Sequence, residues 1–246
     1  MTSDEKIGFL KTHRTKLIGS WILNVPENKV FLGDTTAQIL EVDKETFDNS
    51  FDSILKMIHR DDFERVQNFM REVLKTREPD YYRLEHRIRK KFGEVRILSQ
   101  IMRTSFDDQG RLTVINGTVS DVTDQRLAEK ALKESEERYR SIFECSLAML
   151  ITVDNNRKIT GFNPAAYKKL GYPPEEMLHQ PISIIYADPE DEKKVSQALK
   201  KDGKFYGRIK NKKKTGEVFT VLLSAAILYD GEGNKVGTVG SSLKLI

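Results

Sequence analysis

Three glycines, Gly93, Gly110 and Gly117, recur as Gly216, Gly233 and Gly240, each displaced by 123 residues without a gap. A chain that spells one pattern twice folds one unit twice, which removes most architectures open to a chain of 246 residues. The flanking residues agree: Lys90-Lys91 and Glu94-Val95 return as Lys213-Lys214 and Glu217-Val218. Each Gly-Glu step lies between two stretches of strand character, Tyr82 to Arg89 and Val95 to Phe106 in one copy, Phe205 to Lys210 and Val218 to Tyr229 in the other. A second turn, Asp107-Asp108-Gln109-Gly110 or Asp230-Gly231-Glu232-Gly233, leads into a third strand.

Upstream of these strands each copy predicts helices. Ile39-Leu40, Phe51 to Ile58 and Phe63 to Leu74 carry apolar residues at helical spacing, with Asp61-Asp62 placed to cap the last of them. Pro164 to Leu170, Pro174 to Leu178 and Pro189 to Leu199 do the same, each opened by a proline where the first turn has no N–H partner to lose. Two short strands come first in each copy, Gly19 to Val25 with Val30-Phe31, and Met149 to Val153 with Ile159 to Phe162. The unit is β-β-α-α-α-β-β-β over about 105 residues, written twice. Between the copies, Gln125 to Phe143 has no Gly or Pro and is rich in Ala, Leu, Glu, Lys and Arg, which predicts one continuous helix. Ala128, Leu132, Ser135, Tyr139 and Ile142 form an apolar seam on it. Either the protein's own domains or a second chain must cover that seam.

Composition narrows the class. The chain is 38% hydrophobic and 9% aromatic, which excludes the disordered class. Its longest apolar run, Cys145 to Val153, is far shorter than the roughly 20 residues of a membrane span. A net charge of +4 is too small to argue for nucleic acid. One cysteine makes no internal disulfide, and Met-Thr-Ser-Asp-Glu-Lys lacks the layout of a secretory signal, so the expected location is the cytoplasm.

The order of elements, together with particular strings, resembles the PAS (PAS/PAC) family of sensory domains. In the first copy the strings are Ile18-Gly19-Ser20-Trp21, Ile58-His59-Arg60-Asp61-Asp62, Glu85-His86-Arg87-Ile88 and Asn116-Gly117-Thr118-Val119-Ser120-Asp121-Val122-Thr123-Asp124. In the second they are Tyr139-Arg140-Ser141-Ile142-Phe143-Glu144, Phe162-Asn163-Pro164-Ala165-Ala166, Leu170-Gly171-Tyr172-Pro173-Pro174-Glu175-Glu176 and Lys214-Thr215-Gly216-Glu217. The resemblance implies an α+β fold of two PAS domains, each a five-stranded antiparallel sheet with helices on one face, joined by a helical linker. The expected domains are an N-terminal extension 1–16, a first PAS domain 17–124, a linker 125–138 and a second PAS domain 139–246. Glu41 stands where the family pattern has Gly, Phe92 and Thr215 where it has Asp, and Tyr186 where it often has His. The second copy ends in Ser241 to Ile246 and lacks the Asp-x-Thr terminus seen at Asp121-Val122-Thr123.

Little in the chain suggests catalysis. His13, His59, His86 and His179 stand in none of the settings of a kinase phosphoacceptor, and no glycine-rich ATP loop follows. The expected role, implied by the resemblance, is therefore a sensory input module that controls a histidine kinase or similar effector, on a longer polypeptide or in trans. A ligand-free dimerisation or protein-interaction module is the alternative, and a sensor holding a flavin or small metabolite non-covalently is a third. The resemblance implies that a haem-binding member would carry an axial His on the long helix and a flavin-adduct member a Cys in an Asn-Cys-Arg string; the helices Phe63 to Leu74 and Asp191 to Leu199 contain no His and Cys145 sits in Glu-Cys-Ser-Leu, so both are disfavoured. No metal-ligand spacing is present. The run Lys210 to Lys214 reads as a solvated loop.

Strand alternation supplies the ligand-binding candidates. Phe219, Val221, Leu223, Ala225 and Ile227 should face the helices, and the repeat carries that register to Gln100 and, from Ile209, to His86. Both are polar residues on an inward face, where each needs a partner. Asn163 is the comparable residue of the second copy, with capping of the helix begun by Pro164 as its structural role. Asp121, Thr123 and Asp124 are the signal-relay candidates: Thr123 or Asp124 can cap the linker helix, and the resemblance makes this the joint through which the sheet acts on it. A homodimer is expected, using the linker seam and the segment Ile7 to Leu17.

Overall fold

The computed structural model describes residues 17–245, so the extension 1–16 and most of the Ile7 to Leu17 segment lie outside the described residues. The chain divides into two compact units, one ending at Leu132 and one beginning at Lys133. No helix among the described residues is long and apolar enough to cross a membrane.

The first unit contains β1 (Ile18–Asn24), β2 (Lys29–Leu32), α1 (Asp34–Leu40), α2 (Phe51–Met57), α3 (Arg60–Lys75), β3 (Tyr81–Arg89), β4 (Val95–Phe106) and β5 (Leu112–Asp121). The helix α4 (Thr123–Cys145) follows. The second unit contains β6 (Met149–Val153), β7 (Ile159–Phe162), α5 (Pro164–Leu170), α6 (Pro174–Met177), a 3₁₀ turn at Ile182–Ile185, α7 (Pro189–Asp202), β8 (Lys204–Lys212), β9 (Val218–Tyr229) and β10 (Lys235–Lys244). Each unit has one five-stranded sheet, in the orders β2-β1-β5-β4-β3 and β7-β6-β10-β9-β8, with every pairing antiparallel.

The repeat holds to the residue. Gln100 lies opposite Val119 and Met102 opposite Gly117 in the first sheet. Leu223 lies opposite Ser242 and Ala225 opposite Gly240 in the second, the same register displaced by the offset of the glycines. Gly93 and Gly216 adopt φ of 87° and 86°, a left-handed turn conformation that a side chain disfavours. Gly117 is required for a different reason: a Cβ there would come within 2.6 Å of the Ile101 carbonyl and 2.8 Å of the Trp21 ring.

Alternation sets each core. In the first unit Trp21, Leu23, Leu84, Ile88, Leu98, Met102, Ile115 and Val119 turn inward and are buried. Val66, Met70 and Val73, one face of α3, are buried as well, at about 1.5–3 kcal/mol for each side chain removed from water. Phe205, Ile209, Phe219, Val221, Leu223 and Ala225 form the corresponding wall of the second unit with Val195 of α7.

Three details differ from the sequence expectation. The helix α3 begins at Arg60, and His59 caps it by accepting the Asp61 N–H at Nδ1, 3.3 Å away. Asp62 turns instead to Arg87, accepting from its backbone N–H at 2.8 Å and from its guanidinium at 2.6 Å. β8 continues to Lys212, so Lys210, Asn211 and Lys212 are strand residues and Asn211 is buried, where the run was read as a solvated loop. Glu41, in the usual place of Gly, takes φ 55° at the end of α1, and its carboxylate receives the buried Lys90 ammonium at 2.8 Å.

Candidate functional site

Helices and sheet enclose a cavity in each unit. The first, ≈ 60 Å³, is walled largely by apolar side chains including Leu84, Leu98 and Met102. His86 and Gln100 both line it from the neighbouring strands β3 and β4, His86 opposite Leu98 and Gln100 opposite Leu84. The His86 ring is 4% exposed and its Nδ1 has no hydrogen-bond partner. Burial pushes its pKa down to about 4, with the Arg65 charge adding to the effect and Asp62 opposing it. The ring is therefore neutral at neutral pH, and no charged residue lines this cavity. A volume of ≈ 60 Å³ holds a few waters or a very small molecule.

The second cavity measures ≈ 170 Å³ and differs in polarity. Asn211 and Ser242, 2% and 5% exposed, lie in its wall beside Ile151, Ile209 and Leu223. The Asn211 Oδ1 is buried without a partner. Tyr186 also lines it, its phenol pushed up to about 12 by burial while Arg157 opposes the shift, so it stays a neutral hydrogen-bonding group. Arg157, Lys200 and Lys235 line the same cavity, and Arg157 meets Glu192 at 2.9 Å.

Asn163 stands outside that wall and spends its whole side chain on backbone. Oδ1 accepts the N–H groups of Leu150 and Ala166, both at 2.9 Å, and Nδ2 donates to the carbonyls of Phe143 at 3.1 Å and Ala148 at 3.0 Å. It caps α5 and ties the end of α4 to β6 and β7, with no valence left for a ligand.

The three relay candidates meet at the start of α4. Asp121 contributes to the helix start, its Oδ1 accepting the Thr123 N–H at 2.9 Å. Thr123 is the first residue of the helix, and its hydroxyl accepts the Ile97 N–H of β4 at 2.8 Å while donating to Asp121. Asp124 lies in the first turn, where a carboxylate complements the helix dipole. Arg126 follows, its guanidinium bonded twice to the Glu85 carboxylate at 2.7 Å. This pair holds the Glu85 carboxyl below its usual range and raises Arg126. Glu85 precedes His86 on β3, and its carbonyl accepts from Arg65 at 2.8 Å. One strand thus carries a cavity residue and the anchor of the helix next to each other.

Sequence reasoning reached His86 and Gln100 but not Asn211, Tyr186, Arg157 or the Glu85–Arg126 pair. Asn211 was within reach, because the glycine offset maps it onto the buried Ile88. Arg157 was not, since only the tertiary fold brings a turn residue to Glu192.

Comparisons with known proteins follow the division into units. The family model described as PAS fold matches residues 29–119, and one described as PAS domain matches residues 146–242. The sensor protein FixL of Bradyrhizobium diazoefficiens is 23% identical over 176 residues, 70% of this chain and 34% of that protein. A probable diguanylate cyclase, DgcE of Escherichia coli (strain K12), is 27% identical over 125 residues, 51% of this chain and 11% of that protein. The chain spans about a third or less of the length of these curated relatives. Among solved structures, a sensory box histidine kinase/response regulator from Burkholderia thailandensis E264 is similar at 25% identity and a TM-score of 0.43, covering 54% of this chain and 97% of that one. A PAS domain from Colwellia psychrerythraea is similar at 20% identity and a TM-score of 0.42, covering 44% and 95%.

Proposed function

Because the chain belongs to the PAS family in both of its units, we propose that it is a sensory input module, set in the cytoplasm, in which the sheet of the first unit biases the helix α4 and through it a signalling effector. The effector is of the kind its relatives' names describe, a sensor histidine kinase or a diguanylate cyclase, and it carries the chemistry that this chain regulates. His86 and Gln100 are the ligand-facing groups of the first cavity in this reading. Asp121, Thr123 and Asp124 form the relay, with Arg126 and Glu85 as its outer clamp. The observation that carries the reading is the adjacency of His86 and Glu85 on β3: a shift of that strand at the cavity moves the residue that holds α4.

Ligand size sharpens the alternatives. Drug-sized ligands occupy sites of roughly 300–1,000 Å³, and the cavities here are ≈ 60 and ≈ 170 Å³. Small molecules suit these volumes and a flavin does not. The dimer module is favoured by a separate observation, the exposure of Leu127, Leu132, Tyr139 and Ile142 along α4. A dimer through that face is compatible with signalling through the same helix.

The test is a chimera in which this chain replaces the input region of a histidine kinase. Glu85→Gln and Arg126→Gln should each change autophosphorylation severalfold, and the exchanged pair Glu85→Arg with Arg126→Glu should restore it in part. Output indifferent to all of these, and to Thr123→Ala, would remove the relay.

A further inference from the structure

We propose that the cavity of the second unit is a binding site for a small organic anion of roughly six to ten heavy atoms that carries a hydrogen-bond donor at its buried end. This assigns a ligand class to a pocket of the sensory module inferred above and rests on that reading.

Three observations converge. The first is volume: ≈ 170 Å³ compares with the roughly 150 Å³ that accommodates benzene. One ring or a short branched chain fits, lying against Ile151, Ile209 and Leu223. The second is charge. The lining holds three cationic side chains, Arg157, Lys200 and Lys235, and no carboxylate. Glu192 compensates Arg157 from outside the lining at 2.9 Å, whereas Lys200 and Lys235 are exposed and have no ion pair among the described residues. A rim of this kind favours an anion over its neutral isostere. The third is Asn211, 2% exposed, which belongs to the lining and whose buried Oδ1 has no hydrogen-bond partner. A buried amide oxygen left unpaired costs stability in the empty protein, and a ligand hydroxyl or N–H removes that cost.

The register separates the two ends. Asn211 lies opposite Phe219, at the end of the sheet away from the β9–β10 hairpin, and Lys235 lies opposite Tyr229 at that hairpin. Lys200 is near the same end, since the Gly203 carbonyl just beyond α7 accepts the Ile227 N–H. An elongated ligand therefore presents its donor to Asn211 and its negative charge to the two lysines. The first cavity, with no charged residue in its wall, has no such polarity.

The probes are 4-hydroxybenzoate, benzoate and 4-hydroxybenzamide, titrated into the full chain by calorimetry at pH 7 and low salt. 4-Hydroxybenzoate should bind at about 1 mM or tighter. Losing the hydroxyl or the charge should each weaken binding about tenfold. Asn211→Leu, close in volume, should remove the advantage of 4-hydroxybenzoate over benzoate. The exposed double variant Lys200→Gln, Lys235→Gln should remove its advantage over the amide, with the circular dichroism spectrum unchanged. No binding by any probe at 5 mM, equal binding of acid and amide, or variants that bind like the wild type would each overturn the proposal. The chimera separates the two readings: an output that still follows Glu85 and Arg126 while no probe binds keeps the sensory module and discards this ligand.

Discussion

Asn163 and Asn211 are both buried, and they differ in what their side chains have left to do. Asn163 makes four bonds to backbone groups and caps a helix, so its burial is structural. Replacing it with Ala should destabilise the second unit by about 2–4 kcal/mol. Far-UV circular dichroism in urea should show a lowered midpoint, while the fluorescence of Trp21, the one tryptophan, should keep its midpoint because it reports the first unit. His86 supplies the pH prediction. Its pKa is about 4 when folded, against roughly 6.5 when unfolded. The unfolded chain therefore takes up a proton first as pH falls. Stability of the first unit should decline from about pH 6.5 to pH 4, by on the order of 3 kcal/mol, and this contribution should then level off. Asp62, held down to about 2 mainly by its hydrogen bond with Arg87, adds its own loss below about pH 4. Urea titrations followed by Trp21 fluorescence across this range, in wild type and His86→Phe, should show a slope between about pH 6.5 and pH 5 only in the wild type. Both His86 and Gln100 were legible because alternation places every second residue inward. Asn211 was missed because the lysines around it made the segment read as solvated, although the repeat already placed it in the core.

At the scale of elements, strands were the most legible part of the chain. Each sheet buries one face, so a slip of one residue would expose the core, and the pattern had to declare itself. Helix starts were harder. The acidic pair at Asp61-Asp62 reads as a cap, yet a salt bridge to Arg87 25 residues away takes Asp62 and leaves the cap to His59. The 3₁₀ turn at Ile182–Ile185 has too few residues for any period to show. The linker helix was plain from composition, and its length of 23 residues exceeds the expected span at both ends. Its exposed Leu132 and Tyr139 carry a prediction of their own. Light scattering at tens of micromolar should find the wild type dimeric, and Leu132→Glu with Tyr139→Glu should shift it to monomer. A monomeric wild type, or a double variant that dimerises equally well, would reduce this helix to a spacer.

At the scale of the whole molecule, one fold has been written twice and its two interiors have diverged. The same sheet order and register enclose a neutral cavity in one copy and a larger one with a cationic rim in the other. A duplicated module of this kind can read two chemically different signals into one chain. The proposed relay couples the interior of the first unit to α4 through Glu85 and Arg126. Hydrogen exchange of the Arg126 to Lys130 amides, in wild type, His86→Phe, Glu85→Gln and the double variant, tests that coupling most directly. With the relay in place, His86→Phe should change protection in the first turns of α4 and Glu85→Gln should remove most of that change, a coupling of about 0.5–2 kcal/mol. Strictly additive effects, or protection that ignores His86 altogether, would contradict it.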